Sequence, residues 1–163
     1  MITDVTKLTP QEQNQLREAL PLIAILVGKA DNNLDLKEQA LAKKVAHIRT
    51  FSSSDYLKDF YETVDESFDK TLADLEKELP ADAEARSKVI SDRLSLLNPV
   101  LSQFHPKIGA ELYRGFVRYA QEVAKASGGF LGFVAINPAE AKWVDLPMLV
   151  TIVHEEELTE EEE

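Results

Sequence analysis

The sequence predicts an all-α fold, a single-domain helical bundle of about seven helices. Along most of the 163 residues, apolar side chains recur at intervals of three and four, which is the repeat of a helix face. Several of these stretches open with a helix-capping pattern such as Thr9-Pro10-Gln11-Glu12. Outside the last part of the chain we find no alternation of period two, the pattern typical of half-buried strands.

The composition limits the classes of protein that the chain resembles. It contains no cysteine, which excludes a disulfide framework and thiolate metal ligands and is compatible with a reducing cytoplasm. The first residues lack the pattern of a signal peptide. The longest apolar stretch, Leu20 to Val27, is too short to cross a bilayer, which takes about 20 residues. We therefore expect a cytoplasmic chain without a transmembrane segment.

The charge is strongly negative and unevenly distributed. The formal net charge of −11 argues against nucleic acid as a partner, because a phosphate backbone attracts basic surfaces. Residues 155–163 hold seven Glu and no basic residue. We expect an all-α domain over residues 1–154 and a disordered acidic tail over residues 155–163. An acidic arm that docks on a basic partner is the alternative for the tail.

The first helix is predicted to be the central one. Thr9 supplies the N-cap hydroxyl, Pro10 the first helical residue and Glu12 the capping-box carboxylate. The residues from Leu20 to Val27 are apolar on all sides, as in a helix buried by its neighbours. Pro21 is expected to kink this helix.

Two further helices follow. The first of them starts at Asp35, has Glu38 in a second capping box and reaches about Arg49. The next starts at Asp55, after a serine-rich break, and ends before Pro80. Nine acidic and three basic residues lie between positions 55 and 78, so we expect its outer face to be acidic and solvated.

The sequence pattern predicts three more helical segments in the second half of the chain. One runs from Ala81 to Leu97 and breaks at Asn98-Pro99, and one follows Pro106 and ends at Ser127-Gly128-Gly129. The last opens at Asn137 with a cap, a proline and a capping-box Glu. Its continuation over residues 146–154, with Leu146, Val150 and Val153 at helical spacing after Trp143, fits a helix and a short extended segment equally well.

A candidate metal site lies where the first helix gives way to the second. Asp31, Asn33, Asp35 and Glu38 place four oxygen-bearing side chains within eight positions. Carboxylate and amide oxygens, without Cys and without His at matching spacing, favour Ca²⁺, Mg²⁺ or Mn²⁺ over Zn²⁺. The alternative is that Asp35 and Glu38 only cap a helix. The spacing is not that of an EF-hand, because Leu36 and Ala42 stand where that loop needs Gly and Glu.

A weak internal repeat extends this candidate site. Residues 29–34 align with residues 125–130, and residues 34–38 align with residues 136–140. Both copies are an apolar helix, a polar or glycine-containing turn and a helix start with Glu at its fourth position, with six extra residues in the second turn. Two such pairs related by a pseudo-twofold axis would bring Glu38 and Glu140 towards each other.

The stretch from Ala30 to Glu38, read ADNNLDLKE, resembles the A-D-G-x-[ILV]-x-x-x-E signature of the TerB-like (tellurite-resistance B) domain family. The similarity covers about residues 16–143. It implies a compact all-α domain of bacterial stress-response systems, with acidic residues suspected of binding a metal and no established catalytic activity. The corresponding acidic positions here are Asp31, Glu38 and Glu140. The chain departs from the family pattern at Asn32, at Ser127 and in the insertion from Leu131 to Ile136.

The remaining motifs favour binding over catalysis. No nucleophile elbow, phosphate-binding loop or complete set of catalytic roles is present, so we expect a non-enzymatic protein. The insertion is apolar for a turn, and it either packs on the core or forms a protein-binding patch with Phe130, Leu131 and Phe133. The two functional hypotheses are a divalent-metal-binding module of a stress response and a metal-independent protein-interaction scaffold.

Overall fold

The computed structural model describes residues 1–28, 36–127 and 142–154, with the side chains of residues 36–38, 48–52 and 127 left out of the description. No strand forms in these ranges, and the all-α class is confirmed. A 3₁₀ turn at Val5–Lys7 precedes helices that we number α1 Pro10–Arg17, α2 Ala19–Gly28, α3 Leu36–Ser52, α4 Asp55–Glu78, α5 Ala83–Ser95, α6 Leu97–Leu101 and α7 Pro106–Ser127.

The helix predicted to start at Thr9 is divided into α1 and α2. Its capping box forms as expected, since the N–H of Glu12 donates to Thr9 Oγ1 at 3.2 Å and the N–H of Thr9 donates to Glu12 Oε1 at 3.0 Å. Pro21 has no N–H for the carbonyl of Arg17, and α1 ends at Arg17 with Glu18 as its C-cap residue. The expected kink is therefore a break between two helices, and regular bonding resumes from Leu22 N–H to Glu18 O at 2.9 Å.

Helix α2 is the centre of the bundle, as predicted. All ten of its residues are buried, and it packs against α3, α4, α5 and α7. A helix apolar on every side is stable in water only when neighbours cover each face. The other helices are therefore arranged around α2.

Helices α3 and α4 are antiparallel and share a polar seam. Along α3, the side chains of Gln39, Lys43 and His47 contact the carboxylates of Glu76, Asp69 and Asp65 at 3.3, 2.7 and 2.8 Å. The partner numbers fall as the α3 numbers rise, which fixes the antiparallel direction. Part of the acidic face of α4 is thus matched by α3.

The predicted break at Asn98-Pro99 is wrong. The chain turns at Leu96, and α6 runs through Asn98 and Pro99. Pro99 is the third residue of α6, within the first turn, where an N–H has no partner inside the helix. The missing donor therefore costs no helical hydrogen bond at that position.

Helix α7 runs antiparallel to α3. Near its start, Glu111 binds Ser54, which follows α3; further along, the hydroxyl of Tyr119 donates to the carbonyl oxygen of Ala42 at 3.0 Å. The C-terminal end of α7 therefore lies at the end of the bundle where α3 begins. Helix α7 is described as far as Ser127, and the predicted stop at Ser127-Gly128-Gly129 extends outside the described residues.

Residues 142–154, which we call the C-terminal strap, form turns up to residue 149 and no regular structure beyond it. Leu146 and Leu149 are buried, but Val150 and Val153 are 65% and 54% exposed. The helical pattern over these residues is therefore wrong, and the segment is not a regular strand either. Leu146 has a φ of 47°, which stops a helix from continuing through it.

Residues of α6 and its flank hold both described ends of the chain. The amide of Asn98 binds the strap backbone twice, from Nδ2 to Met148 O at 3.0 Å and from Val150 N–H to Oδ1 at 2.8 Å. The N–H of His105 donates to Ile2 O at 2.8 Å. The ring of His105 lies 6.3 Å from that of His154. The two ends thus meet beside one histidine.

The expected number of about seven helices and the internal repeat remain predictions. One predicted helix is divided here into α1 and α2, and α6 lies where a break was predicted. The start of the last predicted helix, at Asn137, lies outside the described residues.

Candidate functional site

The residues singled out from the sequence lie outside the described part of the chain, or have their side chains outside it. Glu38 lies in the first turn of α3, and only its backbone is described. The others fall within residues 29–35 and 128–141: the expected ligands Asp31, Asn33, Asp35 and Glu140, and the expected partner-binding residues Phe130, Leu131 and Phe133. The structure therefore describes the surroundings of this candidate site and not the site itself.

The start of α3 and the end of the described part of α7, each next to one candidate segment, lie at one end of the bundle. The bond between Tyr119 and Ala42 serves as a reference level in the antiparallel pair α3 and α7. From there α3 begins six residues back, at Leu36, and α7 ends eight residues on, at Ser127. These distances are about 9 Å and about 12 Å along the helix axes, in the same direction. Seven residues link the end of α2 to Leu36. We call this region the α3-start end.

A buried cation lies towards the same end. Arg86, in the first turn of α5, is only 4% exposed, and it and Ser87 are the buried polar residues of the described chain. Its Nη1 donates to Ala81 O at 3.3 Å. A guanidinium keeps its charge in proteins, and a buried charge is stable only in a strongly matching environment. Negative or strongly polar groups are therefore expected around Arg86.

Glu76 connects Arg86 to the start of α3. Burial raises the pKa of the Glu76 carboxyl above its ordinary range, and the positive charge of Arg86 opposes that rise. The same carboxylate accepts a hydrogen bond from Gln39 Nε2 at 3.3 Å. Gln39 directly follows Glu38 in α3. The chain of Arg86, Glu76 and Gln39 thus links α5 and α4 to the first turn of α3.

Sequence reasoning missed Arg86. Ile90 and Leu94 form the apolar stripe of α5, and both are fully buried. Arg86 lies four residues before Ile90 and therefore on the same helix face. An arginine at a position where the stripe calls for an apolar residue was the available signal.

Other charged groups in the described part of the chain are more scattered. No set of three or more His, Asp or Glu residues there is placed to hold a metal ion. Several carboxylates are instead matched by single cations, as in the contact of Arg93 with Glu18 at 2.6 Å. Asp65 has one buried oxygen without a hydrogen bond while its other oxygen contacts His47.

A cavity of about 430 Å³ opens between the N-terminal segment, α1 and the first turns of α4. Its lining combines three carboxylates and one guanidinium with an aromatic floor: Asp4, Asp55, Asp59, Arg17, Tyr56 and Phe60. A second cavity of about 330 Å³ follows α4 towards its C-terminal end and shares Arg17. The two form an acidic recess along α1 and α4, on the face predicted to be solvated.

Within the described ranges, no helix has the length and apolar character needed to cross a membrane. Comparison of the chain with protein-family models, with curated proteins and with solved structures finds no match.

Proposed function

We propose that the chain is a non-enzymatic, divalent-metal-binding module, similar to the TerB-like domains of bacterial stress-response systems. In this proposal Asp31, Glu38 and Glu140 are the ligands, with Asp35 and Asn33 in support. Their carboxylate and amide oxygens suit a hard cation, which is Ca²⁺, Mg²⁺ or Mn²⁺. The protein acts by binding and carries no catalytic residue.

The observation that carries the proposal is the arrangement of helix ends. The described residues that precede and follow the first candidate segment, Gly28 and Leu36, are separated by seven residues. The second candidate segment leaves α7 at Ser127, at the same end of the bundle. Glu38 lies in the first turn of α3 at that end, and Glu140 follows Ser127 by thirteen residues, a chain length whose reach allows a shared site for the two carboxylates.

The test is thermal unfolding of the full chain after chelation, and then with each ion added in turn. A ligand present at 100 times its dissociation constant stabilises the folded state by about 2.7 kcal/mol, which raises the midpoint by several degrees. We expect one ion to produce that rise in the wild type and none to do so in Glu38→Gln.

Glu62→Gln is the matched control. It removes the same charge from an exposed position on α4, away from the candidate site, and should keep the ion response of the wild type. If no ion changes the midpoint of the wild type, the proposal is wrong, and Asp35 and Glu38 return to a capping role.

The second candidate function is a metal-independent protein-interaction scaffold. The acidic recess along α1 and α4 favours it, because it adds two cavities to a helix face that carries an excess of carboxylates. The apolar insertion with Phe130, Leu131 and Phe133 is the other proposed contact. A protein partner is expected in either case, and nucleic acid is not.

The substitution Phe133→Asp separates two roles of that insertion. If the insertion packs on the core, the variant loses several kcal/mol of stability, as expected for a charge placed among apolar side chains. If it is a binding patch, stability is unchanged and association with the partner is lost. Unfolding in urea and pull-down from the source cell, done on the same protein sample, distinguish the two roles.

A further inference from the structure

The first cavity of the acidic recess, of about 430 Å³, contains more negative than positive charge. Three carboxylates and one guanidinium line it, an excess of two negative charges. Asp4 is engaged in its own turn, where Oδ1 accepts from the N–H and the hydroxyl of Thr6 at 2.9 and 2.8 Å. Asp55 and Asp59 are exposed, and no ion pair or side-chain hydrogen bond within the described ranges engages their carboxylates. The carboxylates available to a ligand are therefore these two.

One wall of this cavity is a face of α4. Asp55 and Asp59 are four residues apart, so their side chains are neighbours, with Cβ atoms about 5–6 Å apart. Tyr56 and Phe60 repeat this spacing one residue on and line the same cavity. Tyr56 is 59% exposed, and its ring is thus open to a ligand. Carboxylates and aromatic rings are the two kinds of group that attract an organic cation.

The other wall is held in place by hydrogen bonds to the backbone. Gln13 of α1 donates from Nε2 to Thr6 O at 3.3 Å and to Leu8 O at 2.9 Å, which fixes the N-terminal segment on α1. The N–H of His105 donates to Ile2 O at 2.8 Å and holds the start of the same segment. A cavity with walls fixed in this way is formed before a ligand arrives, which lowers the cost of binding.

The size and lining of the cavity favour an organic cation over a bare ion. Its volume lies within the range of about 300–1,000 Å³ that is typical of small-molecule pockets. Lysine and arginine carry their charge at the end of an apolar stem. Such a side chain suits a lining in which carboxylates stand next to aromatic rings.

The recess continues beyond the first cavity and has room for a chain that carries such a side chain. The second cavity, of about 330 Å³, follows α4 and shares Arg17 with the first. Within the described ranges Arg17 makes one hydrogen bond, to Asn14 Oδ1 at 3.3 Å, and a guanidinium has several donors. The other donors of Arg17 match backbone carbonyl oxygens, which a peptide has and a free amine lacks.

We infer that the acidic recess binds a basic segment of a partner protein. A lysine or arginine side chain enters the first cavity, where Asp55 and Asp59 hold its cation and Tyr56 covers its stem. The backbone of the same segment accepts hydrogen bonds from Arg17. This inference rests on the second candidate function, the interaction scaffold, and names the chemistry of its partner. It is independent of the metal-binding proposal, because none of these residues is an expected metal ligand.

The test is an NMR titration of the full chain, in the presence of a chelator, with the blocked peptide Gly-Gly-Lys-Gly-Gly. We expect saturable shifts of the amides that line the recess. An exposed ion pair changes an affinity by up to about fivefold, so Asp55→Asn combined with Asp59→Asn should weaken binding by about tenfold. Shifts confined to residues 155–163 would overturn the inference, because the peptide would then follow the acidic tail.

Glu62→Gln combined with Glu66→Gln is the matched control. It removes two charges at the same spacing from exposed positions of α4 that line neither cavity, and it should stay within about twofold of the wild type. Equal losses in the two double variants would show attraction to net charge alone and would overturn the inference. Should Asp55→Asn disturb the start of α4, Asp59→Asn alone lies beyond the first turn and should weaken binding by about threefold; an unchanged affinity in that variant would also overturn it.

Two further probes test the ligand. The same peptide with acetyl-lysine has lost its charge and should give no saturable shift at the recess. The n-butylammonium ion is the lysine side chain without a backbone, and it should bind about fivefold more weakly than the peptide because it offers Arg17 no acceptor. Equal binding of either probe would overturn the inference.

The outcomes also separate this inference from the proposed functions. If the lysine peptide does not bind but Phe133→Asp abolishes association with a partner, the scaffold stands and the basic segment is wrong. If the peptide binds as expected and no ion changes the unfolding midpoint, the basic segment stands and the metal-binding function is wrong.

Discussion

The carboxylate of Glu111 receives both hydrogen bonds that Ser54 offers to it. The backbone N–H of Ser54 donates to Oε1 at 2.8 Å and its hydroxyl donates to Oε2 at 2.7 Å. Ser54 is the N-cap of α4, but its own hydroxyl makes no capping bond. A residue of α7 therefore fixes the start of α4 and, at the same point, the antiparallel register of α7 with α3.

The substitution Glu111→Gln tests this arrangement. A glutamine has only one acceptor oxygen and no charge, so one donor of Ser54 loses its partner and the other loses a charge-assisted bond. Hydrogen bonds to charged groups contribute about 1.5–3 kcal/mol, and we expect a loss of that size in urea unfolding. Glu62→Gln, on the exposed face of α4, should stay within about 0.5 kcal/mol. Equal effects in the two variants would contradict this account.

Helix α7 contains one tyrosine whose hydroxyl is buried and one whose hydroxyl is exposed, so the two can be compared. Tyr119 is fully buried and donates to Ala42 O at 3.0 Å, whereas the hydroxyl of Tyr113 lies 3.3 Å from Oγ1 of the exposed Thr151 in the strap. Tyr119→Phe should cost about 0.5–1.5 kcal/mol. Tyr113→Phe should change the free energy of unfolding by less than about 0.5 kcal/mol. Chemical denaturation of the two variants in parallel provides the measurement.

A close approach between α7 and α4 makes Gly115 sensitive to a single methyl group. A Cβ at this position would lie 2.9 Å from the hydroxyl oxygen of Tyr61, and Tyr61 is only 3% exposed. Alanine gains about 1 kcal/mol of helix propensity over glycine, but overpacking costs about 1–3 kcal/mol. We expect Gly115→Ala to lower the unfolding midpoint.

The pair Gly115→Ala and Tyr61→Phe provides the control. Removing the hydroxyl oxygen removes the atom that the new Cβ would meet. The alanine should therefore be less harmful in the Tyr61→Phe background than in the wild type, and its propensity gain should emerge. A strictly additive pair would show that the close contact does not limit this position.

Glu12 and Glu76 should contribute to the stability of the fold with opposite dependence on pH. The N–H of Thr9 and the side chain of Gln103 lower the pKa of Glu12 below its ordinary value of 4.5. A lowered pKa in the folded state adds stability above 4.5 that is lost as the pH falls through the folded value. We expect the midpoint difference between the wild type and Glu12→Gln to shrink from pH 7 to pH 3.

For Glu76 the sign is reversed. Burial raises the pKa of its carboxyl above 4.5 in the folded protein, so protonation favours folding. The stabilisation is complete below 4.5 and is lost as the pH rises through the folded value. The stability of Glu76→Gln relative to the wild type should therefore increase between pH 4 and pH 7, as measured by the unfolding midpoints of the two proteins. A difference independent of pH would contradict the assignment.

Local sequence signals predicted much of the fold. The capping box at Thr9, the all-round apolar character of α2 and the end of α4 before Pro80 each depend on a few neighbouring residues. Pro99 shows where such signals fail, because a proline ends a helix in its interior and is tolerated in its first turn. Which case applied depended on the turn at Leu96, for which the sequence has no cap residue.

The surroundings of the candidate site depended on contacts between distant parts of the chain. Arg86 is buried because α5 lies against α2, and Glu111 caps α4 from α7, 57 residues beyond Ser54. Neither relationship has a local pattern. The residues named as ligands have a local pattern but require the fold to bring two segments together, and they remain predictions.

The meeting of Ile2 and His154 beside His105 has a mechanical consequence. A force applied through the two described ends would act first on the junction of α6 and α7, where both are attached, before it reached α2. The strap is held there by Asn98 and two buried leucines, and the N-terminal segment by a few backbone hydrogen bonds. Under tension, the ends should detach in separate steps while the central helices remain packed.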